Sequence, residues 1–141
     1  ETRKKVTRGE LLRGGETILV VEDEENVRRL AVRILERQGY TVLEASCVND
    51  ALVLCKECKE PIHMILTDVV MPEMSGPQLA EQLVSLHPKI KVLYMSGYTD
   101  NAIVHHGVLK DGVNYIQKPF TIDGLARKMR EVLDKDSKSV R

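Results

Sequence analysis

Five short apolar runs, each followed by a stretch with helical spacing, decide what this chain can fold into. The runs fall at residues 18–21, 41–45, 62–67, 91–95 and 114–117. The first, Ile18-Leu19-Val20-Val21, is continuously apolar, as a strand buried on both faces requires. Between the runs the period changes to that of a helix. Val27, Leu30, Ala31, Ile34 and Leu35 line one face of a helix over 26–38, with Gly39 as its stop. A second helix is predicted over 48–59, closed by Pro61. A third runs from Pro77, placed in its first turn, to Leu86, before Pro88. Asp100 can cap a weaker helix ending near 107–112, and Thr121 caps a last one over 122–133. Five strands alternating with five helices make βαβ units, hence an α/β fold with a parallel sheet and right-handed crossovers.

Such a sheet gathers the residues that follow its strands at one edge, beside the topological switch point where ligands bind. Glu22 and Asp23 follow the first run, Asp68 the third, Ser96 the fourth and Lys118 the fifth. Adjacent carboxylates at a strand end need neutralising, and Mg²⁺ takes one or two carboxylates together with phosphate oxygens. The acidic run 22–25 also reads as a plain first helical turn favoured by the helix dipole, though Asp68 at the same edge weighs against that. Asp68 can act as a nucleophile and form an acyl phosphate. The loop after it can offer backbone groups to a cation, the Val70 carbonyl among them. Ser96 supplies a small hydroxyl, although Ser96-Gly97 alone is an ordinary turn signal. Lys118 brings a compact charge on a flexible stem, and Lys118-Pro119 invites a cis peptide.

Bulk composition is consistent with one globular domain of 141 residues, 43% hydrophobic and 30% charged. Net charge is zero, which gives no reason to expect nucleic acid as a partner. Residues 1–16 read as a basic, flexible lead-in, 17–134 as the domain and 135–141 as a polar tail. No run reaches the roughly 20 apolar residues of a membrane span, so no membrane contact is expected of this domain. Three cysteines fit a reduced, cytoplasmic chain. Cys55 and Cys58 with His63 have metal-like spacing but lack a fourth ligand, so free thiols are expected. His105 and His106 point apart on a helix and read as surface residues. The first residue is Glu1, so a piece of a longer chain is expected.

Taken together, residues 18–23, Asp68 with Met71-Pro72, Met74 and Gly76, Ser96-Gly97 and Lys118-Pro119-Phe120 resemble the receiver domain of two-component response regulators. The resemblance covers about 17–133 and implies a flavodoxin-like, doubly wound five-stranded sheet of order 2-1-3-4-5. It also implies that Asp68 accepts a phosphoryl group from a histidine kinase. By the same resemblance Glu22 and Asp23 hold Mg²⁺, with Asp23 the direct ligand, and Ser96 and Lys118 bind the acyl phosphate. The resemblance implies too that Tyr115 turns inward with the hydroxyl when the domain is phosphorylated. Glu22 stands where Asp is about as common in the family, and nothing in the site is missing. Val70 and Tyr98, flanking the approach of water, orient it poorly, so slow self-dephosphorylation is expected.

Residues 11–16 resemble the linker of a hybrid sensor histidine kinase, which makes kinase domains in cis, and a histidine phosphotransfer protein, the expected partners. A free single-domain regulator is the alternative parent. Whether the chain is itself an enzyme stays open; a phosphatase with an Asp nucleophile would carry its general acid at Val70, which cannot serve. A receiver that binds partners without phosphorylation is the other rival.

Overall fold

The computed structural model describes residues 14–70, 74–96 and 114–135. Within them lie β1 (Thr17–Val21), α1 (Glu25–Arg37), β2 (Thr41–Ala45), α2 (Val48–Glu57), β3 (Met64–Asp68), α3 (Gly76–Leu86), β4 (Lys91–Ser96), β5 (Tyr115–Gln117) and α4 (Ile122–Asp134). The helix expected after Asp100 lies outside the described residues, as do His105, His106, Met71, Pro72, Gly97 and Tyr98. The strands form one sheet of order β2-β1-β3-β4-β5, every neighbouring pair parallel.

The two-residue period of a strand sends alternate side chains to opposite faces, and β1 divides accordingly. Ile18 and Val20 join Ala31, Ile34 and Leu35 of α1 and Leu125, Met129 and Val132 of α4 in one core. Leu19 and Val21 join Val48 and Ala51 of α2 and Leu79 and Leu83 of α3 in the other. The strands beside the switch point carry the apolar load: β3 is buried along its whole length, whereas the edge strands β2 and β5 are half-exposed.

Local chemistry sets the ends of the elements. Ser75 and Gln78 make a reciprocal capping box at the start of α3, and Pro77 occupies its first turn. The Thr121 hydroxyl accepts from the Gly124 amide at 2.9 Å to begin α4. Helix α1 ends at Gly39, whose φ of +98° places it in the left-handed region that glycine favours. Helix α2 stops at Glu57, two residues short of the sequence expectation. There Cys58 turns extended and its thiol donates to the Glu60 carbonyl, so the chain can turn past Pro61 into β3.

Registry brings the strand ends together. Val21 pairs with Thr67, Asp68 with Met95, and Ser96 with Gln117. Glu22, Asp68, Ser96 and Lys118 therefore stand side by side at the C-terminal edge of the four strands β1, β3, β4 and β5.

Candidate functional site

The fold gathers the four sequence positions into one cluster. Asp68 is the last rung of β3, and the next amide, Val69, donates to the Met95 carbonyl at 3.1 Å. Asp68 is buried, its side chain 9% exposed, and its Oδ1 lies 3.0 Å from the Lys118 ammonium. The same ammonium reaches Glu22 Oε1 at 3.2 Å, so one lysine bridges two buried carboxylates. Lys118 is held in turn by its own amide, which donates to the Ser96 carbonyl at 2.7 Å, and the following peptide to Pro119 is cis. Ser96 is fully buried at the end of β4. Carboxylate oxygens of Glu22, Asp23 and Asp68 lie within 4.8 Å of one another, with Asp23 the exposed member. Three carboxylates facing one ammonium leave a surplus of negative charge, and an all-oxygen donor set of this kind fits a hard divalent cation.

The loop after Asp68 returns tightly. The Gly76 amide donates to the Val69 carbonyl at 2.7 Å, and a Cβ on Gly76 would stand 2.3 Å from the Asp68 carbonyl oxygen. Glycine is required there by that approach, because any side chain would push the backbone of Asp68 aside.

Comparison with known proteins agrees with this geometry. Residues 18–130 match the model of the response regulator receiver domain. The chain belongs to the response regulator receiver family. Over 132 residues it is 39% identical to the sensor kinase CckA of Brucella abortus, covering 94% of this chain but 14% of that kinase. It is 31% identical over 116 residues to the response regulator receiver protein CpdR of the same organism, covering 82% of this chain and 95% of that protein. The crystal structure of the receiver domain from the hybrid histidine kinase CckA superposes with a TM-score of 0.68 at 33% identity, over 83% of this chain and 98% of that one.

Charge within the receiver domain is finely balanced. Burial pushes the Glu22 carboxyl up to about 7; the Glu24 amide, donating to Oε2 at 3.0 Å, opposes the rise and the Asp68 charge adds to it. Burial works against the Lys118 ammonium as well, but the hydrogen bond and charge of Asp68, with those of Glu22, outweigh it and hold its pKa above the usual lysine range.

The other expected residues divide. Val70 is 48% exposed and Tyr115, on the edge strand, 41% exposed. His63 stands apart from the cysteines in function, its Nδ1 accepting the Thr17 amide at 2.9 Å. The sequence reading missed Arg28 of α1. Its Nη1 donates to the Glu22 carbonyl at 2.9 Å, while Nε meets Glu44 Oε1 of β2 at 3.2 Å. The available signal was a cation at the end of the first turn of α1, close after the acidic run 22–25.

Proposed function

We propose that this receiver domain accepts a phosphoryl group on Asp68 from the phosphohistidine of a histidine kinase. The observation that carries the reading is the Lys118 ammonium between Asp68 and Glu22 at a buried sheet edge. An Asp68 oxygen attacks phosphorus, the histidine N–P bond breaks with its electron pair passing to the imidazole, and an acyl phosphate O–P bond forms. Lys118 meets the charge on the phosphoryl oxygens, and the Ser96 hydroxyl donates to one of them. Glu22, Asp23 and Asp68, with the Val70 carbonyl, are the groups that hold Mg²⁺, which when bound neutralises charge on the transferring group. Both oxygens of Glu22 already have protein partners, which supports Asp23 as the direct ligand and Glu22 as one acting through water.

The parent is a hybrid sensor histidine kinase, a reading supported by 132 matched residues in a sensor kinase, more than the domain alone needs. Its own kinase domains then supply the phosphoryl group on the cytoplasmic side, and a histidine phosphotransfer protein takes it onward. No helix among the described residues is long and apolar enough to cross a membrane. Incubation with Mg²⁺ and acetyl phosphate is expected to add one phosphoryl group by intact mass, and Asp68→Asn to abolish the addition. Labelling that persists in Asp68→Asn overturns the assignment.

A further inference from the structure

We infer that Arg28 is a positioning residue for the metal-binding carboxylates, an inference that rests on the metal reading given above. Every polar atom of Glu22 has a named partner. Its amide donates to the Ala45 carbonyl at 3.1 Å, its Oε1 meets Lys118, and its Oε2 accepts the Glu24 amide. The carbonyl is the fourth, and it is held by Arg28 Nη1 at 2.9 Å. This carbonyl lies past the last β1–β2 rung, where the ladder supplies no donor.

The consequence concerns Asp23 more than Glu22. A peptide unit is planar, so fixing the Glu22 carbonyl fixes the plane from which the Asp23 backbone departs. That plane, together with the Asp23 φ, sets the direction in which the Asp23 side chain leaves the chain. Asp23 is the exposed carboxylate of the three, so its aim depends on its backbone more than on packing. Arg28 is suited to the task because its side chain is only 16% exposed and its planar fork is held at a second point by Glu44. The Arg28–Glu44 pair is itself half in water on the Glu44 side and contributes little as an ion pair. Its value is to orient the guanidinium toward the carbonyl.

Charge and position predict opposite results, which makes the inference testable. Removing a cation near a carboxylate cluster would tighten Mg²⁺ binding if Arg28 acted through its charge. Losing the carbonyl contact should weaken it, as removal of groups that orient metal ligands does by about 10–100-fold. The test is calorimetric titration of the whole chain with Mg²⁺, alongside melting temperatures in EDTA and in Mg²⁺. Arg28→Leu is expected to weaken Mg²⁺ binding by about 10-fold or more. Arg28→Lys, which keeps one donor, should recover part of the loss, and Glu44→Gln should give a smaller loss of the same sign. Arg28→Lys and Glu44→Gln decide the matter if Arg28→Leu fails to fold. Unchanged or tighter binding in Arg28→Leu overturns the inference, as does a melting temperature lowered equally in EDTA and Mg²⁺. Asp23→Asn separates the two levels: if it binds Mg²⁺ like the unmodified chain, the metal reading falls and this inference with it.

Discussion

Glu22 and Asp23 are neighbours in sequence with opposite circumstances. Glu22 is 1% exposed and tied to Lys118 and to the Glu24 amide, whereas Asp23 is exposed on the same loop. Without a cation, Asp23 adds a negative charge to a cluster already too negative for its single ammonium. Like charges at this range disfavour each other. Asp23→Asn should therefore raise the melting temperature in EDTA by about 2–4 °C and lose most of the Mg²⁺-dependent rise. Thermal unfolding with and without Mg²⁺ checks both halves. A fall in EDTA would mean that Asp23 makes a structural contact that outweighs the repulsion.

At the scale of elements, the site is carried by strand ends, and a switch through it would be read at the edge strand. Strand β5 has three residues, and its Tyr115 is 41% exposed while Ser96 on the adjacent β4 is fully buried. A phosphoryl oxygen that recruits the Ser96 hydroxyl changes the space beside β5, and the ring has room to respond because it is not packed in the core. Beryllium fluoride with Mg²⁺, standing in for the phosphoryl group, is expected to shift the NMR signals of Tyr115 and of residues 100–112. Shifts confined to the loops after Asp68 and Ser96 would show binding without a propagated switch. The strands that present these residues were legible in the sequence because each apolar run stops where its chemistry begins. The Thr121 cap, Pro77 in the first turn of α3 and the Gly39 stop were legible for the same local reason, whereas the Ser75–Gln78 capping box was found only in the structure. Arg28 was not legible either, since its contacts with Glu22 and Glu44 join a helix to two strands and leave no periodic trace. The end of α2 was misjudged by two residues because the chain turns extended at Cys58, whose amide closes the helix on the Leu54 carbonyl while its thiol donates to the Glu60 carbonyl beyond it, contacts that no spacing rule encodes.

Across the whole molecule, the lead-in is tied to the last helix at the edge opposite the site. The Gly14 amide donates to the Gln38 carbonyl at 2.8 Å, and the Thr41 amide to the Glu16 carbonyl at 3.0 Å. Arg130 of α4 donates from Nη1 to Glu16 at 2.9 Å and to the Tyr40 hydroxyl at 3.3 Å, and also pairs with Asp134. Gly14 and Gly39 touch closely enough that a Cβ on Gly39 would stand 2.5 Å from the Gly14 carbonyl oxygen. Residues 14–16 are thus tied to the ends of α1 and β2 and to α4, and a chain beginning at Gly14 should be more stable at pH 7 than one beginning at Thr17. The difference is expected to be about 1–2 kcal/mol, that of a charge-assisted, partly screened bond with its backbone partners. Arg130→Met should remove most of that difference, because the truncation and the substitution break the same contact. The pH dependence follows from Glu16. Burial raises its carboxyl, but the Arg130 hydrogen bond and charge win and hold it below its ordinary 4.5. A depressed carboxylate contributes its stability above the unfolded value and loses it as pH falls through the folded one. The gap between the two chains should therefore be full at pH 6–7 and shrink below about pH 4.5. Urea unfolding of both chains from pH 3 to pH 7 measures it, and a gap that does not change with pH would assign the stability to the backbone bonds of Gly14 and Glu16, with no share for the ion pair.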